Sequence, residues 1–586
     1  MKQSVFNLNT LKAHPERNAF DLSHNDVFSC APGMLLPISC TEVLPNEHYE
    51  INPQIFLRTM PLNSAAFVRM RQHIEFFFVP MRVLCRQFNQ FVVGTKYSIS
   101  SLDALNDFNK TLPAVRLNEI RKWFLSSTNA IDGLNISLVE GSRRLFDLLG
   151  YGISSYRPVT EDNYPDSYTQ SSSAAKQESP ALSVFRLAAY QKVYQDYYRN
   201  PYWEAPDAGA FNFDDKFGLY LSSTSDTARM TKLFTVRYRN WAKDFFTSIQ
   251  PSFQGAPFVT KPINMSSFVM NGSGRYQSFV PEYSHVMQFG SGSLASKTFS
   301  SSVLKADLKS TQSEGFTIPI HNIRAAFAFD KLYRLQQQAG NGSYGEQIRN
   351  RFGFGGVHDD WKATYIGGSS SPISIGEVIT TANTQLGIEG DNTILGQTGD
   401  IYGKASSVND ARITFDTKEH GIIMGIFSVT PDADYNASGI DPHNFKLNFE
   451  QFYQPEFDRL GHQPLNTYYL SSTSISSDTS SVNWLQHVIG FQNRYLEYKT
   501  GIDKVHGQFC SGGSLSAWTA PRNSGIIEDT GGGMFSTYSL KVSPKILNSI
   551  CSVAFNGCDY TDPILVDSHI GIKAIRPMSV SDEPLL

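Results

Sequence analysis

Two close pairs of carboxylates, Asp432 with Asp434 and Glu456 with Asp458, are the first residues in this chain whose types could do chemistry. A retaining glycosidase needs two carboxyls roughly 5 Å apart across a cleft. Neighbours in sequence on loops rarely face each other that way, so turn formation and ion pairing are the expected roles of both pairs. The thirteen histidines are dispersed, and none stands with Cys, Asp or Glu at metal-ligand spacing. The chain contains no HExxH, no Walker loop and no GxSxG. Gly290-Ser-Gly292-Ser-Leu-Ala295 is half of a dinucleotide fingerprint, but it lies in a Ser/Gly-rich stretch without a βαβ context and reads as a loop. Gly353-Phe-Gly355-Gly356 follows a predicted helix, the wrong side for cradling phosphate. No catalytic residue, cofactor or metal is expected.

Two features could hold a polyanion. The first 26 residues are polar, with Lys2, Lys12 and Arg17 set against Glu16. A tyrosine-rich segment places Arg186, Lys192 and Arg199 among Tyr190, Tyr194, Tyr197 and Tyr198; cations mixed with aromatic rings hold single strands without sequence preference. An aromatic stripe at helical spacing is, however, the usual mark of buried packing, and that reading is favoured. The net charge of −4 supplies no global field that would draw nucleic acid, so any such contact must be local.

The elements that would carry these residues follow from composition and pattern. Hydrophobic residues make up 41%, enough for a substantial core, and 41 Phe with 27 Tyr favour sheets and broad contact surfaces. Charged residues are only 18%, below the usual quarter. That deficit fits either a surface covered by neighbours or a solvent face rich in Ser, Thr, Asn and Gln. Six scattered cysteines without a CxxC pair suggest a reduced, cytosolic origin. The N-terminus has no apolar run of signal-peptide length and nothing approaches a membrane span, so no membrane insertion is expected.

Between Ile74 and Gly94 the periodicity changes from strand to helix. Ile74, Phe76 and Phe78 alternate up to Pro80, after which Leu84, Phe88, Phe91 and Val92 recur at helical spacing. Val27 to Val79 is broken by Pro32, Pro37, Pro45, Pro53 and Pro61, which permits short strands joined by turns. Helices are predicted near Ser142–Leu149 with Gly150 as cap, from a Ser179 N-cap through Tyr197, and over Asn322–Gln338 and Tyr344–Phe352 with Gly353 closing the last. Gly255–Thr317 and Gly367–Gly403 read as loops or insertions. Strands return after Ala411: Ile422–Val429 is a continuous apolar run suited to burial on both faces, and Ile570, Ile572 and Ala574 alternate. The domain scheme is an arm over 1–26 and one β domain over 27–586, with helical insertions near 81–205 and 322–353 and a variable one near 255–317. Strands at both ends of the chain suggest a barrel completed by sequence-distant strands.

Nine segments in order then resemble one family. They are Asp21-Leu22-Ser23-His24; Phe76-Phe77-Phe78-Val79-Pro80 with Arg82; Val193 to Arg199 with Pro201 and Trp203; and Arg239 to Ser248 with Pro251 and Gly255. Tyr344-Gly345-Glu346 to Gly353, Tyr365-Ile366-Gly367-Gly368 to Ile373, His420 to Val429 with Tyr435, Tyr453 to Gln463, and Arg494 to Lys499 complete the series. Together they are similar to the major capsid protein of the Microviridae, small tailless phages with single-stranded DNA. The long 255–317 segment resembles the gokushovirus-type and gut-phage branch, while His462 departs from the acidic residue expected there. The resemblance implies an eight-stranded antiparallel jelly-roll barrel with long loop and helical insertions. It also implies self-assembly into a T=1 icosahedral shell around a single-stranded DNA genome, within a virion assembled in a bacterial cytoplasm. Implied partners are further copies, a DNA pilot protein, an internal scaffolding protein, a small basic DNA-binding protein and a host surface glycan. Lys2, Lys12 and Arg17 become candidate DNA contacts. A reading from a different class, a glycan-binding or glycan-cleaving β protein, rests on the aromatic content and the loops; the missing signal peptide weighs against it.

Overall fold

The computed structural model describes residues 16–93, 112–153, 179–251, 361–458, 461–470, 488–522, 540–551 and 562–580, with short breaks inside several of these ranges. A small hairpin over 268–277 and isolated positions between 324 and 353 are also described. The remainder of the predicted 255–317 insertion and nearly all of the predicted helices over 322–338 and 344–352 lie outside the described residues. Gly353 is described and holds the left-handed backbone (φ +68°) expected of a helix-closing glycine.

Ten strands form one curled sheet: β1 (Asn18–Asp21), β2 (His24–Cys30), β3 (Leu36–Val43), β4 (His48–Thr59), β5 (Met70–Pro80), β6 (Thr364–Ile379), β7 (Ile401–Asp410), β8 (Ile413–Asp416), β9 (Gly421–Pro431) and β10 (Ile564–Arg576). Their order in space is β1-β10-β4-β7-β6-β5-β9-β3, with β2 continuing β1 along β10 and β8 continuing β7 along β4. All these pairings are antiparallel. If β1/β2 and β7/β8 each count as one interrupted strand, the path alternates early and late segments as a jelly roll does. The turn between its two halves is β6, whose Thr364–Ile373 pairs with β5 and whose Ser374–Ile379 pairs with β7.

Period-2 patterning closes the barrel. Ile564, Val566, Ile570, Ile572 and Ala574 of β10 point inward beside Tyr49, Ile51, Ile55 and Leu57 of β4. As predicted, β9 is buried on both faces from Gly421 to Val429. One face meets the barrel interior and the other is covered by helix packing. The helices are α1 (Met81–Leu84), α2 (Phe88–Val93), α3 (Leu117–Ser126), α4 (Leu138–Leu148), α5 (Phe185–Val193) and α6 (Thr227–Phe234). The central one, α5, lies against β5 and β9; the Tyr190 hydroxyl donates to the Leu35 carbonyl (2.9 Å), and Gln191 Nε2 donates to the carbonyls of Leu233 (2.9 Å) and Thr235 (2.8 Å). Gly150 caps the segment after α4 with φ +76°, a left-handed angle that a side chain rarely tolerates.

Five local expectations require correction. Gly367–Gly403 is not a loop, because β6 crosses the centre of the sheet there. Its serines replace apolar contacts with a buried polar ladder: Gln72 Nε2 donates to Ser371 Oγ and Ser407 Oγ (both 2.9 Å), and Ser369 Oγ donates to Asn409 Oδ1 (2.7 Å). Apolar alternation, the signal used for strands, is therefore missing. Ser179 does not cap the tyrosine helix either. Ala181–Ser183 is a short strand, α5 begins at Phe185, and Ser179 Oγ accepts from Asn118 N (3.1 Å) at the start of α3. The helix after Pro80 is broken at Cys85, whose backbone is extended (φ −150°), leaving Phe91 and Val92 of α2 exposed. Finally, β4 is a long strand that runs through Pro53. It does so because β7 reaches only Gln54 and β8 starts opposite Ile51, so the ladder on that side skips the proline. Strand pairing also begins at Asn18, within the segment read as an arm.

Candidate assembly surface

Each carboxylate pair is engaged in ion pairs. Arg69 Nη2 lies 3.2 Å from Asp434 and 2.8 Å from Asp503, with its Nε 3.9 Å from Asp432. Burial pushes the Asp434 carboxyl above the usual carboxylate range, against the pull of Arg69. Asp458 accepts from Lys499 Nζ (2.6 Å), while Glu456 is exposed beside it. Neither pair spans a cleft. Among the described residues no three His, Cys, Asp or Glu side chains are grouped to hold a metal ion, and no helix is long and apolar enough to cross a membrane.

The tyrosine segment is packed rather than open. After α5 the chain widens into a π-helical turn, Tyr194–Tyr198, closed by Arg199 N donating to the Tyr194 carbonyl (2.9 Å). Tyr190, Tyr194 and Tyr198 are buried. The interspersed cations serve the fold: Lys192 Nζ, itself buried, reaches Asp196 (2.9 Å), Arg186 donates to the Leu149 carbonyl (3.3 Å), and Arg199 donates to the Glu204 carbonyl. Of the predicted DNA contacts, Lys2 and Lys12 lie outside the described residues. Arg17 is exposed at the start of β1 and donates to the Asn46 carbonyl (2.9 Å).

The end of this segment walls a cavity of about 450 Å³. Its floor is Phe77, with ring centroids of Tyr197, Tyr365 and Tyr198 at 4.8, 5.5 and 5.9 Å. Behind the floor Arg239 forms a two-pronged pair with Glu75 (2.8 and 3.3 Å), donates to Ser428 Oγ (3.0 Å), and leaves Glu75 to accept also from the Tyr198 hydroxyl. Burial works to raise the Glu75 carboxyl, but the Arg239 charge and these hydrogen bonds prevail and hold it below the ordinary range. Asn240 Nδ2 donates to the Tyr198 carbonyl (2.7 Å), whereas its buried Oδ1 has no partner among the described residues. Trp241, Tyr202 and the exposed Lys243 complete the wall and rim.

The unusual surface is apolar. Leu447 (83% exposed), Phe449 (77%), Phe452, Tyr453 and Tyr498 stand in solvent together. They are held firmly. Asp441 caps the turn Pro442–Phe445 through His443 N (2.9 Å), and Gln451 Oε1 accepts from the backbone N–H groups of Leu447 (2.6 Å) and Asn448 (2.9 Å). Lys446 Nζ lies over the Tyr498 ring (3.8 Å to its centroid) and is paired with Glu497 (2.9 Å). Tyr453 packs on Tyr495 at 5.2 Å. On the outer face of the barrel Val27, Phe56 and Val408 share one row through the register β2-β10-β4-β7, with the exposed Asp567 between Val27 and Phe56. Large exposed apolar groups on fixed backbone mark contact surfaces. Phe445, Leu447 and Phe449 alternate as they would in a strand, yet the segment folds into short capped turns. Its legible sequence signal was a cluster of large apolar residues between Pro442 and Pro455.

Comparison with known proteins agrees with this picture. The family model described as capsid protein (F protein) matches residues 9–114 and 153–529. The capsid protein VP1 of Chlamydia phage 1 is 24% identical over 577 residues, covering 86% of this chain and 87% of the relative. The capsid protein VP1 of Bdellovibrio phage phiMH2K is 21% identical over 536 residues, covering 86% and 85% respectively. With a jelly-roll strand order, three of its four close carboxylates in ion pairs and an apolar surface left open, this chain belongs to the capsid protein (F protein) family of the Microviridae.

Proposed function

We propose that this capsid subunit closes with copies of itself into a small T=1 icosahedral shell around a single-stranded DNA genome. The observation that carries the reading is the set of large apolar side chains fixed in solvent at Leu447–Tyr453 and along Val27, Phe56 and Val408. Contacts of modest area, repeated by symmetry, stabilise a closed particle although each is weak alone. The expected experiment is expression of the chain alone and with internal scaffolding protein, followed by sedimentation and electron microscopy. Particles of uniform small diameter support the reading, and a lone subunit under every condition overturns it. The DNA pilot protein and a small basic DNA-binding protein are the further partners, and assembly takes place in the bacterial cytoplasm.

Lys2, Lys12 and Arg17 are proposed to meet the genome by charge. Replacing all three with Gln lowers packaged DNA at unchanged particle yield; unchanged packaging rejects the role. The 255–317 insertion is proposed to protrude and meet host glycan, so deletions within it alter adsorption more than assembly.

A further inference from the structure

The aromatic cavity and the exposed aromatic segment complement each other. The cavity is lined by the rings of Phe77, Tyr197, Tyr198, Tyr202, Trp241 and Tyr365. Beside the Arg239 paired with Glu75, the lining carries Arg199 and the exposed Lys243, while Lys362, outside the lining, sits over the Tyr197 ring (4.7 Å). Glu75 does not offset them, being neutralised by Arg239. The segment presents Leu447 and Phe449 as protruding apolar groups, with the exposed Glu456 further along the same stretch of sequence. A volume of about 450 Å³ admits two such side chains.

We propose that Leu447 and Phe449 of one subunit insert into the Tyr197–Tyr365–Trp241 cavity of a second copy, with the Glu456 side of the segment over the Lys243 rim. The occupant is a second copy because this chain belongs to a shell-forming family, and the inference rests on that reading. Apolar anchor, aromatic pocket and opposite charges at the edge are the arrangement of an interface hot spot. Anchor and pocket are different patches of one chain, so the contact either repeats head-to-tail around a rotational axis or is exchanged reciprocally across a two-fold.

Two variants test the pairing. Leu447→Ser with Phe449→Ser removes the anchor; Lys243→Glu with Tyr365→Ala disables the mouth at exposed positions. Circular dichroism and thermal unfolding of both should match the native chain. Each variant alone should require at least about tenfold more protein to assemble, judged by sedimentation. A mixture of the two retains one intact anchor and one intact pocket per pair, so mass measurement in solution should find a two-chain species that neither variant forms alone. Native-like assembly of either variant overturns the pairing, as does a mixture without the two-chain species, an outcome that would assign the exposed segment to another phage protein. If the native chain itself forms no particles, the shell reading fails and the pairing falls with it; native assembly beside failure of these tests rejects the pairing alone.

Discussion

Two aromatic regions of this molecule meet opposite fates. From Phe185 to Tyr198, tyrosines and a phenylalanine are buried between the sheet and its helices, and the intervening lysine and arginines bond to Asp196 and backbone carbonyls. From Leu447 to Tyr498, similar rings face solvent, although their backbone is pinned by capped turns and by Lys446 between Glu497 and Tyr498. The difference shows that residue type does not decide burial. What decides it is whether a second layer of the same chain is available to cover the rings. The helices supply that layer in the first region, and no described residue of the same chain supplies it over Leu447 and Phe449 in the second.

The largest test of the contrast is Phe427→Ala in β9, a side chain buried between Phe28 and the core. It should cost about 3–5 kcal/mol of folding stability in chemical denaturation; a loss below 1 kcal/mol, roughly a surface-like value, would mean that β9 is not sandwiched. Next is Arg239→Met, which leaves Glu75 without its cation behind the cavity. Both side chains keep roughly a fifth of their surface in solvent, so the loss should fall somewhat below the roughly 3 kcal/mol of a fully buried pair, and adding Glu75→Gln should recover part of it. If the double variant is no more stable than the single, the pair is not what organises that layer.

A smaller effect concerns pH. Burial, with the Arg239 charge behind it, pushes the His73 imidazole down to about 4 from its ordinary 6.5, and its Nε2 meets Thr430 Oγ1 at 2.9 Å. The unfolded chain therefore takes up the proton first as the solution is acidified. Stability should fall between pH 6.5 and about 4, and His73→Gln should flatten that part of the curve. An unaltered slope in the variant would place the acid sensitivity elsewhere. The smallest effect is on the open surface, where Phe449→Ala should change folding stability by no more than about 0.5 kcal/mol. A loss comparable to that of Phe427→Ala would make the exposed segment part of the core and remove the contrast.

Legibility in the sequence followed periodicity. The Ile74–Pro80 strand, the β9 run and the alternating Ile570, Ile572 and Ala574 were readable because apolar residues face the core at strand spacing. The α4 cap at Gly150 was readable because a left-handed angle selects glycine. The centre of β6 was not, since Gly368 and the serines there exchange apolar signal for close approach and hydrogen bonds. A Cβ on Gly368 would lie 2.4 Å from the Ile74 carbonyl oxygen. The assembly surface was hidden for a related reason: its residues are apolar like a core, and only three-dimensional exposure separates the two.

By itself the sequence determined the chemical character of the chain, namely aromatic strands, few charges and the ordered motifs of its family. Those properties live in local spacing, which one dimension records in full. Tertiary structure alone decided which aromatic rings found a cover, which cations were consumed by the fold, and that β6 joins the two halves of the barrel. Each of these depends on contacts between residues hundreds of positions apart, and no local pattern encodes the partner.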